Sequence, residues 1–127
     1  MGSRSFCFAY DGKSTWANGA RVCAMYNAEI PLPLNAQEDA DYFNFITTKL
    51  GLTSSWLDGN NNNAHGVWLD SKGNNITYFN WEQGQPNGAS VLHYRPNTGG
   101  KWNDHYNTYV ENIVCQKTPF CKFLITV

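Results

Sequence analysis

The sequence predicts an α+β domain with two helices, small antiparallel sheets and a long loop region, stapled by disulfides. Three observations predict it. Apolar residues recur at helical spacing in the first half of the chain and not in the second. From Thr53 onward, short runs rich in aromatic and β-branched residues alternate with Asn and Gly punctuation, the pattern of antiparallel hairpins. Cys7, Cys23, Cys115 and Cys121 stand two near each end, with no Cys-x-x-Cys pair and no His at zinc-finger spacing, so disulfides in an oxidising compartment outweigh a metal cluster.

Taken in order, residues 1–5 read as a tag remnant and lead-in, with Met1 to Ser3 an expression scar, and residues 6–127 as one domain. Phe6 to Tyr10 alternate as a short strand, and Asp11-Gly12 reads as a turn. Ser14 or Thr15 caps a helix to about Tyr26, with Trp16, Ala20, Cys23 and Ala24 on its inner face. Pro31-Leu32-Pro33-Leu34 cannot continue a helix. Asn35 with Glu38 forms a capping box for a second helix, whose apolar stripe is Ala36, Ala40, Phe43, Ile46 and Leu50 and whose end is Gly51.

Beyond it the expected strands are Ser55 to Leu57, Gly66 to Leu69 and Thr77 to Trp81, with a Lys72-Gly73-Asn74 turn and a solvated tip at Asn60 to Asn63. Glu82 to Lys101, rich in Gly, Pro and Asn, reads as one long loop of the kind that carries function. Trp102 opens the closing strands, with Val110, Ile113, Val114 and Cys115 as buried candidates.

Composition narrows the partners. At 127 residues and 42% hydrophobic, the chain can bury a core of its own, and 15% charged residues with a net charge of -1 leave no basic field for nucleic acid or anionic lipid. No run approaches the roughly 18 apolar residues of a membrane-spanning helix. No Gly-x-Ser-x-Gly elbow or phosphate loop supports an enzyme. His65, His93 and His105 lack the i, i+4 helical spacing of a zinc site, so none is expected. The sequon Asn75-Ile76-Thr77 agrees with secretion.

Several motifs occur in a telling order: Trp16 seven residues before Cys23, Ser55-Trp56-Leu57-Asp58-Gly59, Gly66-Val67-Trp68, Tyr78-Phe79-Asn80-Trp81, Gln85-Pro86-Asn87, Trp102-Asn103-Asp104 and Asn112-Ile113-Val114-Cys115. The ordered set, which spans nearly the whole chain, resembles the C-type lectin-like domain. The resemblance implies a loop-in-a-loop fold with adjacent termini, a Cys23–Cys115 bridge and, with it, Cys7–Cys121. The family's second common bridge is missing, for no cysteine stands near Leu92 or Asn107.

The resemblance also implies a calcium and carbohydrate site at Gln85, Asn87, Asn103 and Asp104, with the Pro86 peptide cis. A hard cation takes six to eight oxygens and can accept two from the vicinal diol of a sugar. The triplet here mixes the Glu-Pro-Asn and Gln-Pro-Asp forms and carries no carboxylate, and no acid occurs from Gly88 to Asn97. Only Asp104 brings formal charge, so calcium binding is expected to be weak or absent. Glu82 reads first as a solvated loop acid, with a role as reserve ligand the lesser alternative. Read by themselves, Asn103 and Asp104 are also good turn residues, and Trp56, Trp68, Trp81 and Trp102 read as core aromatics. The expectation is a secreted, non-enzymatic, calcium-dependent lectin for glycans, for instance on a cell surface. It leans to mannose-type sugars because no aromatic follows the triplet until His93 and Tyr94. The alternative is a calcium-independent module of the same fold that binds protein, mineral or ice. Nothing in the chain specifies an oligomer, although an exposed strand edge or loop face could dimerise it.

Overall fold

Among the described residues, the first and last strands pair with each other. In the computed structural model, which describes residues 7–63, 66–96 and 99–117, β1 (Cys7–Ser14) runs antiparallel to β5 (Glu111–Lys117), with Cys7 opposite Lys117 and Tyr10 opposite Val114. The Asp11-Gly12 turn is not a turn. It is a bulge inside a longer β1, where the register shifts between Tyr10 and Lys13 and Gly12 takes φ 78°, a conformation that Gly adopts without a Cβ clash.

Helix α1 (Trp16–Met25) starts where Thr15 accepts the Asn18 N–H. It buries Trp16, Gly19 and Cys23 against β5, while Ala24, expected inside, is exposed. Gly19 allows the close approach: a Cβ there would stand 2.3 Å from Ile113 Cδ1. One turn further, Cys23 and Cys115 form a disulfide that joins the helix to β5.

Helix α2 (Ala36–Phe45) begins at Asn35, whose side chain accepts the Glu38 N–H at 2.9 Å. Glu38 Oε1 in turn accepts the Leu34 N–H at 2.9 Å, one residue beyond the ordinary reach of a capping box. The helix then widens into a π-helical turn, Ile46–Leu50, that Gly51 ends at φ 64°. Its buried face differs from the expected stripe. Ala36 and Ala40 are exposed, and Glu38, Asp39, Tyr42 and Ile46 face inward. The rotation has a chemical cause: Asp39 accepts hydrogen bonds from Tyr78 Oη at 3.2 Å, Asn80 Nδ2 at 2.8 Å and Trp102 Nε1 at 3.3 Å. Burial, the largest influence, still pushes its carboxyl above the usual range.

The second sheet has the order β2-β3-β4, all antiparallel, from β2 (Ser55–Asn60), β3 (Val91–Arg95) and β4 (Lys101–His105). The central strand β3 lies within the segment expected to be a long loop. Val91, Leu92 and Tyr94 are fully buried there and form much of the core. Gly66 to Leu69 and Thr77 to Trp81, by contrast, form no strands and make only single bridges, Asn60 to Leu69, Leu69 to Asn75 and Trp81 to Trp102. Val110 is exposed, whereas Ile113, Val114 and Cys115 are buried as expected. Trp56, Trp68 and Trp102 are core residues, and Trp81 stacks on Phe79 at the core margin. No helix among the described residues is long and apolar enough to cross a membrane.

Candidate functional site

The loop from Glu82 to Ser90 lies along β4 and is pinned to it at both ends. The Glu82 N–H donates to Trp102 O at 2.8 Å, and the Ser90 N–H donates to His105 O at 3.2 Å. Between these points the Gln85–Pro86 peptide is cis, as the resemblance implies. Asp104 clasps the middle of the loop. Its two carboxylate oxygens accept the Asn87 N–H at 3.1 and 3.0 Å, and Oδ2 accepts the Ala89 N–H at 2.7 Å. A charged acceptor on backbone donors makes a strong hydrogen bond, so Asp104, only 5% exposed, sets the position of the triplet.

Of the four residues expected to share a site, the structure brings Asn87 and Asp104 together and sends Asn103 elsewhere. Successive strand residues face opposite sides of a sheet, and Asn103 stands across from His93 whereas Asp104 stands across from Leu92. The Asn103 Oδ1 accordingly accepts from His93 Nδ1 at 3.0 Å. Neither residue sits in a turn; both are buried in β4. Gln85 is half-buried and Asn87 is exposed.

For a hard cation this donor set fits in part. Glu82 Oε1 and Gln85 Oε1 are both buried without a hydrogen-bond partner, an expensive state for an oxygen that a cation would relieve. Asp104 keeps free lone pairs beside its backbone donors. Asn103 would join only by giving up His93. Glu82 therefore moves from reserve ligand to an acid of the same loop with an oxygen that lacks a partner.

Two features escaped the motif reading. Tyr106 and Tyr109, 60% and 50% exposed, stand 5.8 Å apart in the segment after β4, where their spacing after Trp102-Asn103-Asp104 gave no periodic signal. On the far face of β4, His93, His105 and Glu111 converge, their ligand-type atoms within 4.8 Å of one another. Helical i, i+4 spacing is the wrong template for them. His93 and His105 are diagonal neighbours on adjacent strands, with ring centroids 4.8 Å apart. Burial, outweighing the Glu111 charge, pushes His93 down to about 4 and His105 down as well, so both imidazoles are neutral at pH 7.

Comparison with known proteins agrees with this geometry. A family model described as the lectin C-type domain matches residues 12–117. The chain is 28% identical over 122 residues to perlucin of Haliotis laevigata, covering 91% of this chain and 78% of that protein. It is 27% identical to the galactose-specific lectin nattectin of Thalassophryne nattereri, covering 91% and 75%. Among solved structures, the C-type lectin CEL-I of Cucumaria echinata superposes with a TM-score of 0.79 over 90% of this chain and 91% of that one, at 21% identity, a likeness of fold.

Proposed function

Because the chain belongs to the lectin C-type domain family through residues 12–117, we propose that it binds carbohydrate at the surface formed by the Gln85-Pro86-Asn87 triplet and β4. The observation that carries this reading is the Asp104 clasp, which holds the triplet against the strand through the Asn87 and Ala89 N–H groups. Gln85, Asn87 and Asp104, with Glu82, would hold calcium there, and the bound ion would supply a hard centre for two hydroxyls of a vicinal diol. The amide groups of Gln85 and Asn87 can donate N–H to those hydroxyls while their oxygens face the cation. One formal charge from Asp104 and a second from Glu82 make a weak site in the range of about 10⁻⁴ to 10⁻³ M, suited to an extracellular fluid and a secreted protein.

The preferred sugar is of the mannose type. His93 and Tyr94, the first aromatics after the triplet, are buried and offer no ring to the apolar face of galactose. The test is retention on mannose and galactose resins in calcium, release by chelator, and competition between the two sugars, with Asp104→Asn as the variant. Mannose should compete better, and Asp104→Asn should weaken calcium-dependent retention at least about tenfold, since it removes charge and one backbone acceptor. Galactose outcompeting mannose would overturn the preference and give the stacking role to Tyr106 or Tyr109.

A second reading, a calcium-independent recognition module, draws support from the Asn103–His93 hydrogen bond, which takes one expected ligand out of the site. Retention that survives chelator and Asp104→Asn would favour it.

A further inference from the structure

We propose that His93, His105 and Glu111 form a binding site for a divalent zinc-type ion, separate from the sugar surface, that cross-links the two sheets. The cluster has the chemistry of a three-ligand site, two imidazoles and a carboxylate with a fourth position left to water. The carboxylate pairs are close to ligand spacing, and the imidazoles must draw together on loading. His93 Nε2 lies 3.4 Å and His105 Nε2 lies 3.7 Å from Glu111 Oε2, and the ligand atoms of the three spread over 4.8 Å. Ligands at about 2.0–2.2 Å from a tetrahedral zinc stand about 3.3–3.6 Å apart, so the partly exposed His105 ring must rotate inward to complete the set.

A second observation points to a ligand. His93 is 4% exposed, and in the tautomer that donates Nδ1–H to the Asn103 oxygen its Nε2 carries no proton. Its Nε2 is therefore a bare lone pair, buried and without a hydrogen-bond partner, aimed at a carboxylate. Two electron-rich atoms facing each other in a largely buried site are relieved by a proton or a metal cation between them, and a metal ion can serve both atoms and His105 at once. The Asn103 bond is also the kind of outer contact that orients a metal-bound histidine.

His105 and Glu111 have side chains 20% and 19% exposed, which leaves a path for the ion and room for water. His105 must change tautomer on loading. Its Nδ1 accepts the Tyr106 N–H at 2.9 Å in the free protein, so its Nε2 carries the proton. Ligation through Nε2 moves that proton to Nδ1 and frees the Tyr106 N–H on the exposed side, where water can satisfy both groups. Glu111 begins β5 while His93 and His105 lie on β3 and β4, so the bound ion ties one sheet to the other.

The experiment is calorimetric titration of the tag-free, disulfide-intact protein with Zn2+, and absorption with Co2+, in parallel with His105→Gln and His65→Gln. The site predicts one equivalent of Zn2+, an intense four-coordinate Co2+ band, and no displacement by millimolar Ca2+. His105→Gln should weaken Zn2+ by more than about 100-fold, beyond the range for disturbing groups behind a ligand. Unchanged far-ultraviolet circular dichroism should show that losing this partly buried ring has not cost the fold. His65→Gln should bind as the parent does. Equal affinity in His105→Gln and the parent, loss of binding in His65→Gln, or a six-coordinate Co2+ spectrum would overturn the site. Because the His105 side chain lies on the face of β4 opposite Asp104, and His105→Gln keeps the backbone carbonyl that holds the Ser90 N–H, unchanged glycan retention in His105→Gln separates this test from that of the lectin reading.

Discussion

Asp58 shows how one side chain can set a pH response. It is 2% exposed and accepts the Ser71 N–H and hydroxyl at 3.2 and 3.1 Å, yet burial, with Asp70 and Glu29 nearby, pushes its carboxyl up to about 7. The folded state then holds a proton that the unfolded chain, with a value of about 4, has released. Its stabilisation is complete below about pH 4 and is lost as the pH rises through about 7. His93, pushed down to about 4, has the opposite sign: its stabilisation is present above about pH 6.5 and is lost as the pH falls through about 4. The two oppose each other over nearly the same window. Asp58→Asn removes one side of the balance. Relative to the parent, its urea-unfolding stability should therefore fall between pH 7 and pH 4, by on the order of 2–4 kcal/mol. Parallel pH profiles for the two proteins would show that Asp58 is ionised in the fold.

At the scale of elements, local chemistry was legible in the sequence and orientation was not. The caps Thr15, Asn35 and Gly51 sit where the sequence puts them because each acts on its own neighbours. The inner face of α2 could not be read, since the donors that draw Asp39 inward come from residues 78 to 102. Strand β3 was missed although Val91-Leu92-His93-Tyr94 is a continuous buried run, because Gly, Pro and Asn on both sides disguised it as loop. The triplet and Trp-Asn-Asp were legible as motifs. The division of Asn103 from Asp104 is a matter of register, in which one residue of parity changes the face. Gly59 tests the packing of this sheet. A Cβ there would lie 2.3 Å from Leu92 Cδ1, 2.7 Å from Leu92 Cγ and 2.9 Å from Ile76 Cδ1. Gly59→Ala should lower stability by about 1–3 kcal/mol, as overpacking does, measured by urea midpoint at constant slope. A change below about 0.5 kcal/mol would mean that β3 yields locally.

Over the whole molecule, closure depends on joining the chain ends. β1 and β5 pair along Cys7 to Ser14, and α1 is bonded to β5 through Cys23 and Cys115, 92 residues apart in sequence. Closing so long a loop in the unfolded chain removes on the order of 4 to 5 kcal/mol of conformational entropy, a large share of the 5 to 15 kcal/mol that stabilises a typical domain. Replacing Cys23 and Cys115 together by Ala should therefore lower stability by about 2–5 kcal/mol and leave a fold that unfolds at markedly lower urea. The Cys7–Cys121 pairing, which lies outside the described residues at Cys121, is proposed on the same topology: the β1–β5 register sets the Cys7 backbone opposite Lys117, four residues before Cys121. Non-reducing peptide mapping should recover Cys23–Cys115 and Cys7–Cys121 fragments. A Cys7–Cys23 or Cys115–Cys121 link would be incompatible with this structure, because Cys23 and Cys115 are already bonded to each other. A correct Cys23–Cys115 link with free Cys7 and Cys121 would leave the fold standing on one staple, and reduction should then destabilise the protein no more than the Cys23, Cys115 double substitution does.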